Sequence, residues 1–419
     1  APTLGANKSW LSGLIRDFED CTKGAFPTLD NAAATSTTID LEETCLAIAL
    51  DALGKTVFGT NFFATSNIGK EGGDPLVKAV YRVLKETNVR SEKPASILAS
   101  FLRPRWLAEL LSPDLKEFRD ASRLLDAEIN ELIAGLKTKV ENGDDTEGTP
   151  SILRILVDSR DAQTTSQQVK DDLITLLIAG HETVASVLTW ALYELARNPE
   201  ELQKVRNEIS AILGSDVGRP MTMEDVMDLQ CTRRAVTESL RMYPAPPLLS
   251  RRALRDDVLP LTDGKSPSLK LKRGDNVFLL TAMLHRDPRI YGEDAGLFRP
   301  DRWAGSIPCN KDVIPGWKGY EGPDPRSLYP SEKATDFALI GFGAGEFKCV
   351  GDKFAFVEAT IALSRLLQRY DFQLVTENVG FDMAGTIHTS NGLIAHVTRR
   401  DGTSNIFSKS LATVDNVLP

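Results

Sequence analysis

The segment best equipped for chemistry is Gly341-Phe-Gly-Ala-Gly-Glu-Phe-Lys-Cys349-Val-Gly351. Three glycines precede the cysteine and one follows it, where a helical pattern begins. Glycine lets a backbone take unusual dihedrals and approach a ligand closely. A cysteine at a helix N-terminus meets free N–H groups and the positive end of the dipole, which favour thiolate over thiol. Such a thiolate can ligate iron, and its electron donation to a haem favours O–O cleavage. A buried, inert cysteine beside a turn is the simpler alternative, weakened by the glycines on both sides. A phosphate-binding glycine loop is a poor match, since no Gly-Lys-Ser/Thr ending is present.

Two further constellations carry chemical or structural meaning. Ala179-Gly180-His181-Glu182-Thr183 lies inside a long apolar helical pattern. Gly180 costs a helix interior about 1 kcal/mol relative to Ala but leaves room for a small ligand. Thr183 can bond back to the carbonyl one turn earlier. An acid beside an alcohol can relay protons into an apolar site, as activation of O2 requires. A core helix with a tolerated glycine explains the same residues more plainly, and His181 reads as a packed residue rather than a metal ligand. Glu238 and Arg241, three apart on a helix, share a face. If buried they need further partners, and Arg302 or a nearby carbonyl in Phe298-Arg-Pro-Asp-Arg302-Trp303 could close that network. Alone, Glu-x-x-Arg is common on surface helices.

These residues need elements to hold them. Trp10–Leu29, Leu41–Phe58 (opened by an Asp40–Glu43 capping box), a helix begun by Asp74-Pro75, Pro113–Val140, Ser166–Asn198 and Gly351–Tyr370 read as helices. Ser166–Asn198 would span roughly 50 Å and cross the interior. Glu141–Gly148 reads as an acidic surface loop. Val258–Leu261, Leu269–Lys272, Asn276–Thr281 and Phe372–Val375 read as strands, with a hairpin through Thr386–Val397. The Gly- and Pro-rich Ala304–Asp336 is long for a structureless loop, so it reads as functional or an insertion. The expected fold is mainly α with a small β-rich part. It forms one domain over 1–419, helical to about 243 and β/coil with the cysteine loop from about 244.

Composition narrows the field. Of 419 residues, 58 are acidic and 49 basic, for a net charge of −9, which argues against a nucleic-acid binder. The five cysteines are far apart and form no Cys-x-x-Cys pair, so neither a disulfide framework nor a structural zinc site is expected. The most apolar stretch, Leu173–Tyr193, carries His181 and Glu182 near its centre, which argues against a membrane span. The start, without Met, is neither a signal nor a transit peptide.

In order and spacing, the three constellations resemble cytochrome P450, the haem-thiolate monooxygenases. The oxygen-activation motif corresponds to Ala179–Thr183, Glu-x-x-Arg to Glu238 and Arg241, and its completing coil motif to Pro300–Trp303. The haem-ligand signature corresponds to Phe342, Gly345, Cys349 and Gly351. Asp171–Thr183, Pro246–Arg252, Ser327–Pro330, Cys349–Ala355 and Gly385–Gly392 are further similar to plant and algal carotenoid ring hydroxylases.

The resemblance implies haem b (iron protoporphyrin IX) with Cys349 as axial thiolate. Phe342, Gly345, Gly351, Ala179 and Arg251 would contact the cofactor. Gly180, Glu182 and Thr183 would serve O2 and its protons. Glu238, Arg241 and Arg302 would hold the proximal core, and Leu248, Leu249, Ile387 and His388 would touch substrate. Phe347 stands where the family has a propionate-binding Arg, leaving that task to Arg251. Members begin further upstream, so the chain reads as lacking an N-terminal segment. Implied partners are an apolar carotenoid-like substrate and an electron donor such as ferredoxin or P450 reductase, received by a basic patch near Lys348 and Lys353. Peripheral membrane association fits the group. The implied location is the chloroplast, with the endoplasmic reticulum membrane as the alternative. A haem- or substrate-binding homologue without oxygenase activity, and an isomerase or dehydratase on the same scaffold, are the competing functions. Turnover that needs O2 and reductant separates them.

Overall fold

The computed structural model describes residues 8–70, 74–92, 113–141, 166–259, 268–309, 314, 316–376, 378–383 and 385–400 of the chain. The expected helix over Trp10–Leu29 is two helices, α1 (Lys8–Gly24) and α2 (Phe26–Thr35). Pro27 sits in the first turn of α2, where its missing N–H does no harm. At the corner, a Cβ on Gly24 would come within 2.8 Å of the Thr65 hydroxyl.

A short strand, β1 (Thr38–Asp40), leads into α3 (Leu41–Leu53). Asp40 caps α3, accepting from the Glu42 N–H at 2.9 Å. The expected box does not close, because the Glu43 carboxylate accepts from the Gly69 N–H instead. Nor does α3 run on regularly to Phe58. Its end widens into a π-turn, Gly54–Phe58, where Phe62 packs so closely that a Cβ on Gly54 would meet its ring at 2.6 Å.

The remaining helices of this half are α4 (Pro75–Glu92), α5 (Pro113–Glu141), α6 (Ser166–Arg197), α7 (Pro199–Leu213), α8 (Met223–Asp228) and α9 (Gln230–Met242). Asp74 caps α4 by accepting from the N–H groups of Leu76 and Val77. The acidic stretch beyond Glu141 lies outside the described residues. Among those residues, α6 is the one helix long and apolar enough to cross a membrane. Its second half is core instead, with Leu188, Trp190 and Ala191 buried against neighbouring helices. Its most extensive packing is against α3.

The β-rich part is assembled from short pairs. β2 (Leu249–Arg252) runs antiparallel to β5 (Asn276–Leu279), and β3 (Asp257–Leu259) to β4 (Leu269–Leu271). Nothing local announces β2, an exposed strand with two arginines; only its partner reveals it. Residues 260 and 261 lie outside the described residues, and Thr281 starts α10 (Thr281–Leu284) rather than ending β5. α11 (Pro288–Tyr291) follows.

Within Ala304–Asp336, the described residues form packed coil, not a bare loop. Trp317, Tyr320, Ala338 and Leu339 pack with Tyr291 and Trp303 as a second hydrophobic cluster. The Trp317 indole donates to the Thr335 carbonyl at 3.1 Å.

The last helix is α12 (Asp352–Arg369), followed by β6 (Tyr370–Leu374), β7 (Phe381–Met383), β8 (Ile387–Thr389) and β9 (Ile394–Arg399). The expected hairpin through Thr386–Val397 is divided between two sheets. β8 pairs with β7, whereas β9 is the middle strand between β1 and β6.

Candidate functional site

The cysteine loop folds back on itself before α12 begins. The Cys349 N–H donates to the Phe342 carbonyl at 2.8 Å, and the Gly343 N–H to that of Ile340 at 2.8 Å. Gly343 and Gly345 take φ of 72° and 70°, a region closed to most side chains. Gly341 is required for another reason: a Cβ there would strike Leu240 at 2.6 Å. Gly351, expected to matter for close approach, has an ordinary φ, and its Cβ would lie 3.9 Å from the Cys349 sulfur.

This loop forms one side of a cleft of about 270 Å³. Ala179 and Thr183 on α6, Leu240 on α9, Leu249 and Arg251 on β2, and Phe342 with Cys349 line it. Phe347, 76 % exposed, lies at the rim beneath the Arg251 guanidinium, whose carbon is 5.3 Å from the ring centre. Burial raises the Cys349 thiol above its ordinary range; the Gly351 N–H opposes this, Asp352 adds to it and Lys348 opposes it. With no cation bound, the net shift of the thiol thus runs against the lowering expected from the helix terminus. A cation bound to the sulfur would supply what the loop lacks.

These features fit haem. A single sulfur opens into the cleft, the walls are largely apolar, and Arg251 presents a cation where a carboxylate-bearing edge could reach it.

Several expected contacts are placed elsewhere. Gly180 is not in the cleft wall. It faces α3, where a Cβ would come within 2.7 Å of Leu53, so it serves close helix packing. Leu248, Ile387 and His388 are also absent from the lining, while Leu249 is present. The Thr183 hydroxyl does donate one turn back, to the Ala179 carbonyl at 2.7 Å.

Glu182 is 1 % exposed and turned from the cleft. His388 approaches it, Nε2 to Oε2 at 2.7 Å, and reaches Glu42 through Nδ1 at 3.0 Å. His388 is buried, which lowers its affinity for a proton, but Glu182 and Glu42 more than reverse this and raise it to about 10. Only Glu182 and His388 of this trio stand out in the sequence, and not as partners; Glu42 carries no local signal.

Glu238 and Arg241 are fully buried, with guanidinium Nη2 and Nε donating to the two carboxylate oxygens at 2.8 and 2.9 Å. Arg302 Nε donates to Glu238 at 3.2 Å and the Trp303 indole at 2.9 Å. Arg241 also donates to the carbonyls of His285 and Ala295. His285 extends the network. Its Nε2 accepts from the Ile340 N–H at 2.9 Å, which leaves Nδ1–H to donate to the Arg241 carbonyl at 3.1 Å. Burial and Arg241 lower this imidazole to about 3, so it is neutral. One imidazole thus ties the Glu238 network to the start of the cysteine loop.

Lys348 is not part of a free basic patch. It pairs with Glu332 at 2.9 Å and Asp352 at 3.0 Å, over the Tyr329 ring. The Tyr329 hydroxyl donates to Asp352 at 2.5 Å, clamping the first residue of α12.

The family model described as cytochrome P450 matches residues 18–387. Cytochrome P450 97B2, chloroplastic, of Glycine max is 36% identical over 94% of this chain and 69% of its own length. Protein LUTEIN DEFICIENT 5, chloroplastic, of Arabidopsis thaliana is 32% identical over 98% of this chain and 63% of its own. Carotene epsilon-monooxygenase, chloroplastic, of the same plant is 32% identical over 94% and 67%. The chain thus spans about two thirds of the length of these relatives.

Proposed function

Because the chain belongs to the cytochrome P450 family of haem-thiolate monooxygenases, we propose that it hydroxylates a ring of a large apolar polyene of the carotenoid kind, with haem b held by Cys349. The observation that carries this reading is the Cys349 sulfur opening into the same apolar cleft as Ala179 and Thr183. The polyene is supported by the relative named carotene epsilon-monooxygenase and by the apolar walls. The relatives' chloroplast descriptions support the same location here.

Haem, when bound, supplies activation of O2 for insertion of one oxygen atom into a C–H bond. The second oxygen leaves as water, so two protons and two electrons must be delivered. Cys349 would hold the iron, and Arg251 would meet a propionate in place of the family Arg, whose position Phe347 occupies. Phe342 and Leu240 give the cleft apolar walls. Thr183 presents its hydroxyl at the cleft, and Glu182, one position away, is the proton source. The Glu238–Arg241–Arg302 network and His285 hold the segment that carries the cysteine. A ferredoxin or reductase supplies the electrons, and we read residues 1–419 as one domain.

The test is optical and chemical. The haem-loaded, reduced, CO-bound protein is expected to show the red-shifted Soret band of thiolate ligation, and Cys349→Ala to lose it while keeping its helical circular dichroism. Turnover of β-carotene under labelled O2, with ferredoxin and its reductase, is expected to place one labelled oxygen in the product. Label-free product, or product formed without O2, overturns the assignment.

A further inference from the structure

On α6, Glu182, Ser186 and Trp190 recur every four residues and so share one face. Thr183, one residue on from Glu182, is rotated by about 100° and lies at the cleft. Strand β8 is laid along the first face. The Ile387 carbonyl accepts from the Ser186 hydroxyl at 3.1 Å and the Trp190 indole at 2.8 Å. This pins the backbone one residue before His388 and sets that imidazole, 2 % exposed, against Glu182.

The two carboxylates on either side of His388 are not held alike. Glu42 accepts from the Thr389 N–H at 3.2 Å and from the Thr389 hydroxyl, besides facing Nδ1 of His388. Glu182 has no well-aligned hydrogen-bond donor among the described residues, and His388 is the one cationic group within ion-pair distance. The Thr386 hydroxyl shares Nε2 of His388 at 2.7 Å. Other groups face the pair. Tyr81 of α4 sets its ring edge-on to the imidazole at 5.0 Å and donates its hydroxyl to Asp382, which lies opposite His388 in the β7–β8 ladder. His181 adjoins Glu182 on α6 and is kept neutral by burial.

We propose that Glu42 and His388 are positioning residues for proton delivery: together they hold the Glu182 carboxylate on the face of α6 turned from the cleft, and Glu182 serves Thr183 when it leaves His388. Glu42 acts through His388, by keeping both ring nitrogens protonated. Without Glu42 the imidazole loses its Nδ1 proton more readily, and Glu182 loses its fixed counter-charge. The raised proton affinity of His388 accords with this arrangement. The inference rests on the monooxygenase reading of the cleft.

Two variants, Glu42→Gln and His388→Gln, test it with two readouts. The first needs no haem. In the apoprotein, nitrogen-15 spectra of the histidine rings are expected to show His388 doubly protonated at pH 8 in the parent and titrating at lower pH in Glu42→Gln. The second uses the haem-loaded enzyme. Both variants are expected to keep the CO band and release a several-fold larger share of electrons as hydrogen peroxide rather than as product. In Glu42→Gln, the pH above which coupling fails is expected to move down. If His388→Gln does not fold, Glu42→Gln, which preserves side-chain volume, decides alone. A His388 ring that titrates normally in the parent overturns the proposal, as does coupling whose extent and pH profile are unchanged in both variants. A parent without a CO band overturns the monooxygenase reading instead, and the ring titration still decides whether the bridge exists.

Discussion

Replacing Gly180 by Ala separates two roles that the sequence alone leaves open. If Gly180 makes room for a ligand, alanine should leave the folded protein intact and relieve a helix interior of glycine, a gain of about 1 kcal/mol. The structure gives the opposite sign. A Cβ at 180 would lie 2.7 Å from one terminal methyl of Leu53 and 3.2 Å from the other. Overpacking a well-filled interface costs about 1–3 kcal/mol. Set against the propensity gain, Gly180→Ala should destabilise by about 0–2 kcal/mol. Leu53→Ala removes the clashing atoms but opens a hole, for about 2–5 kcal/mol. In the double variant the new methyl meets no obstacle, so the two losses should fall short of adding by the relieved overpacking, about 1–3 kcal/mol. Urea-unfolding midpoints of the four proteins of this cycle measure that coupling. A stabilised Gly180→Ala, or strictly additive variants, would refute the assignment of Gly180 to the α3–α6 contact.

Glu238→Ala leaves Arg241 buried without its carboxylate, so a loss of about 3–5 kcal/mol is expected in the same unfolding assay. A near-neutral result would mean that the carbonyls around Arg241 suffice. His285→Phe removes the link to the Ile340 N–H; it should lower haem retention more than it lowers helix content, read by Soret absorbance against circular dichroism. Arg251→Ala is expected to weaken haem binding in titration, and Arg251→Lys to restore part of it; equal binding by all three would exclude the propionate role. His388, raised to about 10 in the folded protein against about 6.5 in an unfolded chain, binds its proton more tightly when folded. Its contribution to stability is therefore complete below about pH 6.5, declines as pH rises, and is gone above about pH 10. His388→Gln should flatten the fall in unfolding midpoint across that window, and an unchanged slope would contradict the ion pair.

What could be read locally in the sequence follows from how far each interaction reaches. The cysteine loop announces itself because its glycines and its thiol serve one short turn, two of the glycines through positive φ and Gly341 through its approach to Leu240. Glu238 and Arg241 sit three residues apart, so their sharing of a face follows from helix geometry alone. Glu42 and His388 are 346 positions apart, and no local pattern links them. Expecting His388 at the substrate carried over a role from a resemblance, and expecting a small ligand beside Gly180 followed from its missing side chain alone, whereas neighbours from α3 determine where both residues face. The hairpin expected over Thr386–Val397 fails for a similar reason. Asn391-Gly392 looks like a turn between two strands, but Asp40 reaches across to accept from the Leu393 N–H and β9 is drawn to β1.

That last sheet imposes an order on biosynthesis. Its central strand is the final one among the described residues, and the edge it completes belongs to residues 38–40, some 353 positions earlier at the Asp40–Leu393 bond. At translation speeds of about 5–20 residues per second, the early edge must wait on the order of 20–70 s for its partner to be made. Over that interval the Thr38–Asp40 backbone is an open template for other strands, so a nascent chain halted before Ile394 is the form in which chaperone capture or mispairing should concentrate.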